Sequence, residues 1–205
     1  MVEWIKLAGL SDYAKTIDIM EQKLHNVIEH NAPETIFLLE HEDVYTAGTS
    51  YNDNELLATN DIPVIYSRRG GRFTYHGQGQ RVIYPILDLR NREQDLKLYV
   101  RNLESWIINS LRRLGVKAYT IKDMVGIWVN SNNQPAKIGA IGVRVKKWVT
   151  YHGIAVNINT NLKNYEGIVP CGISDFPVTS LKEVGIKVQM QDFDIILKEE
   201  FGKIF

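Results

Sequence analysis

Apolar residues at Tyr13, Ile17, Met20, Leu24 and Val27 recur three or four positions apart, the spacing that lines one face of an α-helix. Ser11 stands where a cap would begin this helix, and the pattern stops before Pro33. A second run with the same period, Leu96, Tyr99, Leu103, Trp106, Ile107, Leu111 and Leu114, is followed by Gly115, the residue type that commonly closes a helix. Residues 35–39, 63–67 and 81–87 are β-rich, and 52–61 reads as a loop or a small helical turn. Residues 116–120 and 125–130 read as paired strands, 131–135 (SNNQP) as a loop, and 138–145 with 148–157 as a hairpin turning near 146–147. Thr179 is placed to cap a short helix and Asp192 to open a last one through Phe201. Helices before, between and after a block of strands predict an α+β fold, with a mixed, mainly antiparallel central sheet covered by helices.

A chain of 205 residues that is 44% hydrophobic can bury a substantial core, so residues 1–205 read as one globular domain. Lys plus Arg and Asp plus Glu are equal at 24 each, which argues against nucleic acid or an anionic membrane as the main partner. No apolar run approaches the roughly 20 residues of a membrane span, and the first ten residues lack the pattern of a signal peptide. The single cysteine, Cys171, cannot form an internal disulfide, in keeping with a reducing compartment. A cytoplasmic protein is the expectation.

The candidate chemistry begins at residues 67–80, SRRGGRFTYHGQGQ, which hold four glycines and three arginines. Glycine without a Cβ lets the backbone approach a ligand closely, and Arg68, Arg69 and Arg72 are fixed cations with forked donors suited to anionic or carbonyl oxygens. A Gly-rich hairpin with solvated arginines is the plainer reading of such a cluster. The tetrapeptide Thr-Tyr-His-Gly, however, occurs at 74–77 and again at 150–153, and two copies are too few for a repeat architecture. Convergence of both on one site follows as the better expectation.

Cys171 lies in Ile-Val-Pro-Cys-Gly-Ile, where proline fixes the backbone and glycine frees it. Free cysteines are commonly buried and structural, but this setting describes a shaped loop, on which a thiolate beside a cation is a good acyl acceptor. Lys137 heads the small-residue run Ile-Gly-Ala-Ile-Gly, and a lysine facing a tight cavity there is usable as a base where a solvated one is not. His76 and His152 are either hydrogen-bonded structural groups or ligand contacts. The histidines and the cysteine show neither Cys-x-x-Cys nor His-x-x-x-His spacing, so no metal site is expected, and a GxxxxGK[ST] phosphate loop is absent.

Taken in order, Arg69-Gly-Gly-x-x-Thr-Tyr-His-Gly-x-Gly-Gln80, Lys137-Ile-Gly-Ala-Ile-Gly-Val-Arg144, Thr150-Tyr-His-Gly-Ile-Ala155 and Pro170-Cys-Gly172 resemble the motifs of the lipoyl(octanoyl) transferases. The resemblance extends over about residues 35–180. It departs at Gln78, where that family usually carries proline, a change that removes no expected chemical group. The resemblance implies a biotin/lipoate protein ligase-like fold and transfer of an octanoyl or lipoyl group from acyl carrier protein to a specific lysine of lipoyl domains. Those domains belong to the E2 subunits of 2-oxoacid dehydrogenases and to the glycine cleavage H protein. It further implies Cys171 as nucleophile, carrying the acyl group as a thioester, and Lys137 as the group that lowers the pKa of Cys171 and acts as general acid and base. The implied substrate-binding residues are Arg69, Gly70, Gly71, Arg72, Phe73, Thr74, Tyr75, His76, Ala140, Ile141, Gly142, Gly153, Ile154 and Ala155. No ATP, metal or other cofactor is implied. Two rivals stand beside this reading: an ATP-dependent lipoate or biotin ligase, which needs no cysteine, and a non-catalytic binder of lipoyl or acyl domains, which needs neither Cys171 nor Lys137. Arg68, Arg72, Arg144, Lys146 and Lys147 are expected to make the surface around the slot locally basic toward acidic partner domains.

Overall fold

In a computed structural model that describes residues 2–59 and 61–205, the chain runs β1 (Glu3–Ser11), α1 (Tyr13–His30), β2 (Thr35–His41), β3 (Val44–Ala47), β4 (Val64–Tyr66), β5 (Phe73–His76), β6 (Gln80–Ile86), α2 (Leu96–Arg113), β7 (Tyr119–Ile121), β8 (Met124–Ser131), β9 (Gln134–Lys146), β10 (Val149–Asn157) and α3 (Met190–Phe201). One sheet has the order β1-β2-β6-β10-β9-β8-β7 and is antiparallel except for the β1–β2 pair. A second, smaller sheet has the order β4-β3-β5. This is the α+β arrangement that the pattern predicts.

The mid-sheet strands are apolar on both faces because both faces are covered. Successive side chains of a strand point to opposite sides, and in β2 Ile36 and Leu38 join α2 and α3 in a core built around Trp106, Leu103 and Phe193. Phe37 and Leu39 turn the other way, to Met20, Leu24 and Val27 of α1. A third cluster, Tyr45, Phe73, Tyr75, Tyr165 and Ile168, fills the inner face of the small sheet.

Several local expectations change. Ser11 ends β1, and the cap of α1 is Asp12, whose Oδ1 accepts the Lys15 amide at 2.8 Å. Residues 131–135 form a tight hairpin turn rather than a loop, with Asn132 and Asn133 both at positive φ (50° and 61°), a conformation asparagine tolerates. The following hairpin turns at Lys147 and Trp148, one residue later than expected. Thr179 caps no helix: its amide donates to the Lys137 carbonyl at 2.9 Å, which draws the segment onto the edge of β9. The last helix opens at Met190, ahead of Asp192. Within 52–61, a short helical turn forms at Asp53–Glu55, and position 60, like position 1, lies outside the described residues.

Arg81 on β6 is almost fully buried and meets Asp194 on α3. Nη2 donates to Oδ2 at 3.1 Å, while Nε approaches Oδ1 at 2.8 Å as an ionic contact too bent to count as a hydrogen bond. Removing one partner of a buried pair leaves the other charge uncompensated. Asp194→Ala should therefore lower the unfolding free energy by about 3–5 kcal/mol, measured by urea denaturation. A loss below about 1 kcal/mol would show that Arg81 finds water or Glu40 instead.

Candidate functional site

A cavity of about 440 Å³ opens between the two sheets. Its wall on the large sheet comes from the β9–β10 pair, whose register sets Ala140 opposite Ala155, Ile141 opposite Ile154, Gly142 opposite Gly153 and Val143 opposite His152. The facing wall comes from β5 and the loop before it. Arg69, Gly71, Arg72, Thr74 and His76 line the cavity together with Lys137, Cys171 and the stretches 140–142 and 153–155. Lys137 and Cys171, 34 positions apart, also share a small crevice at one end of this cavity with Thr74, Ala140 and Asn157.

Three expected lining residues stand elsewhere. Phe73 and Tyr75 alternate with Thr74 and His76 along β5, so they point into the core of the small sheet, where Tyr75 donates to Asp43 at 2.7 Å. Gly70 serves as a fastener: its amide donates to the Val143 carbonyl at 3.1 Å, and a Cβ at Gly142 would stand 3.0 Å from the Gly70 oxygen. The sequence reading missed Tyr84, Met124 and Val125, which also face the cavity.

Cys171 sits half-buried in a 3₁₀ turn with φ 57° and ψ 17°, a left-handed conformation costly for a residue with a Cβ. The turn is held from both ends. The Val169 amide donates to the Glu55 carbonyl at 2.7 Å and the Ile173 amide to the Pro170 carbonyl at 3.0 Å. Lys137 is buried, its main chain tied to Pro177 and Thr179, and its Nζ donates to the Val125 carbonyl at 3.0 Å while lying 5.5 Å from the Trp128 ring centre. Gly126 makes this placement possible, since a Cβ there would come within 2.5 Å of Lys137 Cε.

Arg69 is buried without a carboxylate partner among the described residues. Its Nε and Nη2 donate to Thr46 Oγ1 (3.1 and 2.8 Å), Nη2 also to the carbonyls of Thr46 (2.6 Å) and Arg72 (2.7 Å), and Nη1 to Gly70 O (3.0 Å). Burial lowers its pKa, against the opposing pull of the negative forms of Tyr13, Cys171 and Tyr84. Arg72 pairs with Glu55 and lies over Gly172. Of the other cations expected around the mouth, Lys147 pairs with Glu29 at 2.7 Å, and Arg144 donates to the Arg68 carbonyl at 2.8 Å.

His76 and His152 line the far end of the cavity, and His41 lies behind them against the Tyr84 hydroxyl. Burial pushes His41 down to about 4 and His152 to about 3, and lowers His76 well below its ordinary value. His152 has φ 57° inside β10, and its Nδ1 is buried without a hydrogen-bond partner among the described residues. Among the described residues no group of three or more His, Cys, Asp and Glu is placed to hold a metal ion, and no helix formed by them is long and apolar enough to cross a membrane.

Comparison with known proteins matches residues 12–202 to the family described as lipoyl protein ligase A/B catalytic domain. The chain is 57% identical to the octanoyltransferase of Rickettsia prowazekii (strain Madrid E) and 58% identical to that of Rickettsia bellii (strain OSU 85-389), each over the whole of both chains. Among solved structures it resembles a putative lipoate protein ligase from T. acidophilum with bound lipoic acid, at 15% identity and a TM-score of 0.79, over 100% of this chain and 85% of that one. A biotin protein ligase from Aquifex aeolicus in complex with biotin and ATP gives 15% identity and a TM-score of 0.58, over 98% of this chain and 69% of that one. At these identities the structures share the fold.

The three buried histidines also fix the pH dependence of stability. Each binds its proton less tightly when folded than at the ordinary value of 6.5, so unfolding takes up protons below that value. Stability is complete above about pH 6.5 and falls as pH drops toward 4, by up to about 1.4 kcal/mol per pH unit for each histidine. The unfolding free energy at pH 5.5 should lie several kcal/mol below that at pH 7; equal values would mean that the rings are charged in the folded protein.

Proposed function

The chain belongs to the lipoyl protein ligase A/B catalytic domain family and is an acyltransferase of octanoyl groups in protein lipoylation, and we propose that it works through a thioester on Cys171, taking the acyl group from acyl carrier protein. The observation that supports this reading is the meeting of Lys137 and Cys171 at one end of a single cavity. Lipoyl domains are the acceptor substrates, and the specific lysine on such a domain would receive the chain.

In the first half-reaction the Cys171 thiolate attacks the carbonyl of the acyl-pantetheine thioester. The C–S bond to pantetheine breaks, the acyl group stays on Sγ, and the departing thiolate takes its proton from Lys137, which is left neutral. The positive charges of Lys137 and Arg69 favour the attacking anion and the oxyanion of the tetrahedral intermediate. In the second half-reaction the neutral amine of the acceptor lysine attacks the acyl-cysteine carbonyl, Lys137 in its neutral form takes the proton released by that nitrogen, and the cysteine sulfur leaves. Thioester exchange is close to balanced and the final amide is more stable than either thioester, so the sequence of steps calls for no ATP. The chain of the acyl group would lie along Ala140, Ile141 and Gly142 on one strand and Gly153, Ile154 and Ala155 on the next, where small residues leave a slot.

Two variants separate the roles. Cys171→Ser should lower transfer by at least about a thousandfold while the fold persists, because a hydroxyl is a far poorer nucleophile near neutral pH than a thiolate. Lys137→Ala should still acylate slowly but should lose roughly 10²–10⁴-fold in passage to the lysine, the usual contribution of a general base. Intact-protein mass after mixing with octanoyl-acyl carrier protein should therefore show an octanoyl adduct in the wild type, an accumulating adduct in Lys137→Ala and none in Cys171→Ser. Full transfer by Cys171→Ser, or transfer by the wild type only when ATP and free octanoate are supplied, would replace this reading with that of a ligase.

A further inference from the structure

The end of the cavity away from Cys171 has a fixed arrangement of protons, and transfer of a plain octanoyl chain makes no use of it. His41 Nδ1 lies 2.9 Å from the Ser11 carbonyl, which can only accept, so Nδ1 carries the proton and Nε2 is bare. The 2.9 Å contact between His41 Nε2 and the Tyr84 hydroxyl is therefore donated by Tyr84, whose oxygen keeps its lone pairs. The Gln80 amide nitrogen is identified by the Tyr75 carbonyl it donates to at 3.1 Å and by Asn157 Oδ1 at 3.0 Å. Its other atom is then an oxygen, which accepts from His76 Nδ1 at 2.7 Å. His76 Nε2 is left as a bare acceptor on a ring whose pKa is too low for it to be protonated.

Tyr84, His76 and His152 all line the cavity, and each is at least nine-tenths buried. The Tyr84 and His152 ring centres are 6.1 Å apart. His152 has no ring hydrogen bond among the described residues and, being neutral, offers one N–H and one lone pair in either tautomer. Along β9, Ala140 shares the crevice with Cys171, and Val143, opposite His152, lies three residues on, ~10 Å at a strand rise of ~3.3 Å. That is about the length of an extended eight-carbon chain.

We infer that this end is a subsite for the far end of an acyl chain bearing a terminal hydroxyl, which donates to Tyr84 Oη or His76 Nε2 and accepts from the His152 ring N–H. The inference rests on the transferase reading for the position of the carbonyl end. A hydroxyl fits the subsite better than a thiol because S–H is a weak donor, and a methyl terminus leaves the acceptors unmatched.

The test compares pantetheine thioesters of 8-hydroxyoctanoate and nonanoate, which have the same number of heavy atoms, with a lipoyl domain as acceptor and octanoyl thioester as reference. Buried without partners, the hydroxyl would lower kcat/KM roughly tenfold to a hundredfold relative to the methyl. The expected result is a hydroxyl substrate within about threefold of nonanoyl or better than it, and a fall in that ratio by about fivefold or more in Tyr84→Phe, consistent with loss of one hydrogen bond. Taking the ratio within each protein cancels any general loss of activity in the variant. Nonanoyl preferred tenfold or more by the wild type, with octanoyl transferred normally, overturns the subsite and leaves the transferase reading intact. If octanoyl itself is not transferred without ATP, the transferase reading fails, and calorimetric binding of free 8-hydroxyoctanoate against nonanoate decides the subsite separately: equal or tighter binding of the hydroxy acid supports it, and tenfold weaker binding overturns it. The same calorimetric comparison applies if Tyr84→Phe does not fold.

Discussion

The guanidinium of Arg69, buried with no carboxylate among the described residues to neutralise it, is the interaction on which the site depends. A buried cation is costly unless its donors are satisfied, and here Thr46 and the carbonyls of Gly70 and Arg72 satisfy them. Thr46 belongs to β3 of the small sheet, and Gly70 is bonded to Val143 of the large one. The Arg69 side chain thus braces the loop whose Gly70 amide ties the small sheet to the large one. Because its partners are dipoles and not an anion, the positive charge is left over as a field in the cavity, and an anion formed there is favoured. The side chain that closes the structure also biases its chemistry.

Long-period and mid-sheet signals were legible in the chain. The two long helices and the hydrophobic runs of β2, β6 and β10 are specified by burial on one stripe or on both faces, and burial is what an apolar pattern records. β1 was invisible because it lies at the sheet edge with half-exposed positions and Gly9 at φ +69°, so its residues carry no clean alternation. Thr179 misled for a related reason: a residue suited to capping is equally suited to donating to a neighbouring strand, and only the tertiary position of Lys137 decides between them.

The doubled Thr-Tyr-His-Gly was informative through its histidines. His76 and His152 both reach the cavity, while Tyr75 goes to the small-sheet core and Tyr151 packs with α1. Thr74 lines the cavity, but Thr150 Oγ1 is consumed by the Leu87 amide and the Pro85 carbonyl at the sheet's interior. Identical tetrapeptides therefore play different parts, because strand parity and the left-handed residue at His152 set which atoms point inward. Had a strand been assigned to 73–76, parity alone would have removed Phe73 and Tyr75 from the expected lining. Tyr84 and Gly126 carried no local signal at all, since one is an ordinary strand tyrosine and the other matters only because Lys137 passes over it.

The placement of charge along the cavity bears on both half-reactions. Lys137 stands beside Cys171, and the histidines at the other end are kept neutral by burial and by the positive charges of Arg69 and, for His152, Arg144. A positive field near sulfur favours the thiolate when it attacks and again when it leaves, so the same arrangement lowers both barriers instead of trading one against the other. It also disfavours a protonated amine entering from a lipoyl domain, and the neutral amine is the form that can attack an acyl-cysteine. Charged histidines would extend that field along the slot and leave the acyl chain to displace their hydration. Their neutrality adds no further charge to the slot beyond these cations, and leaves the acyl chain to packing and hydrogen bonds.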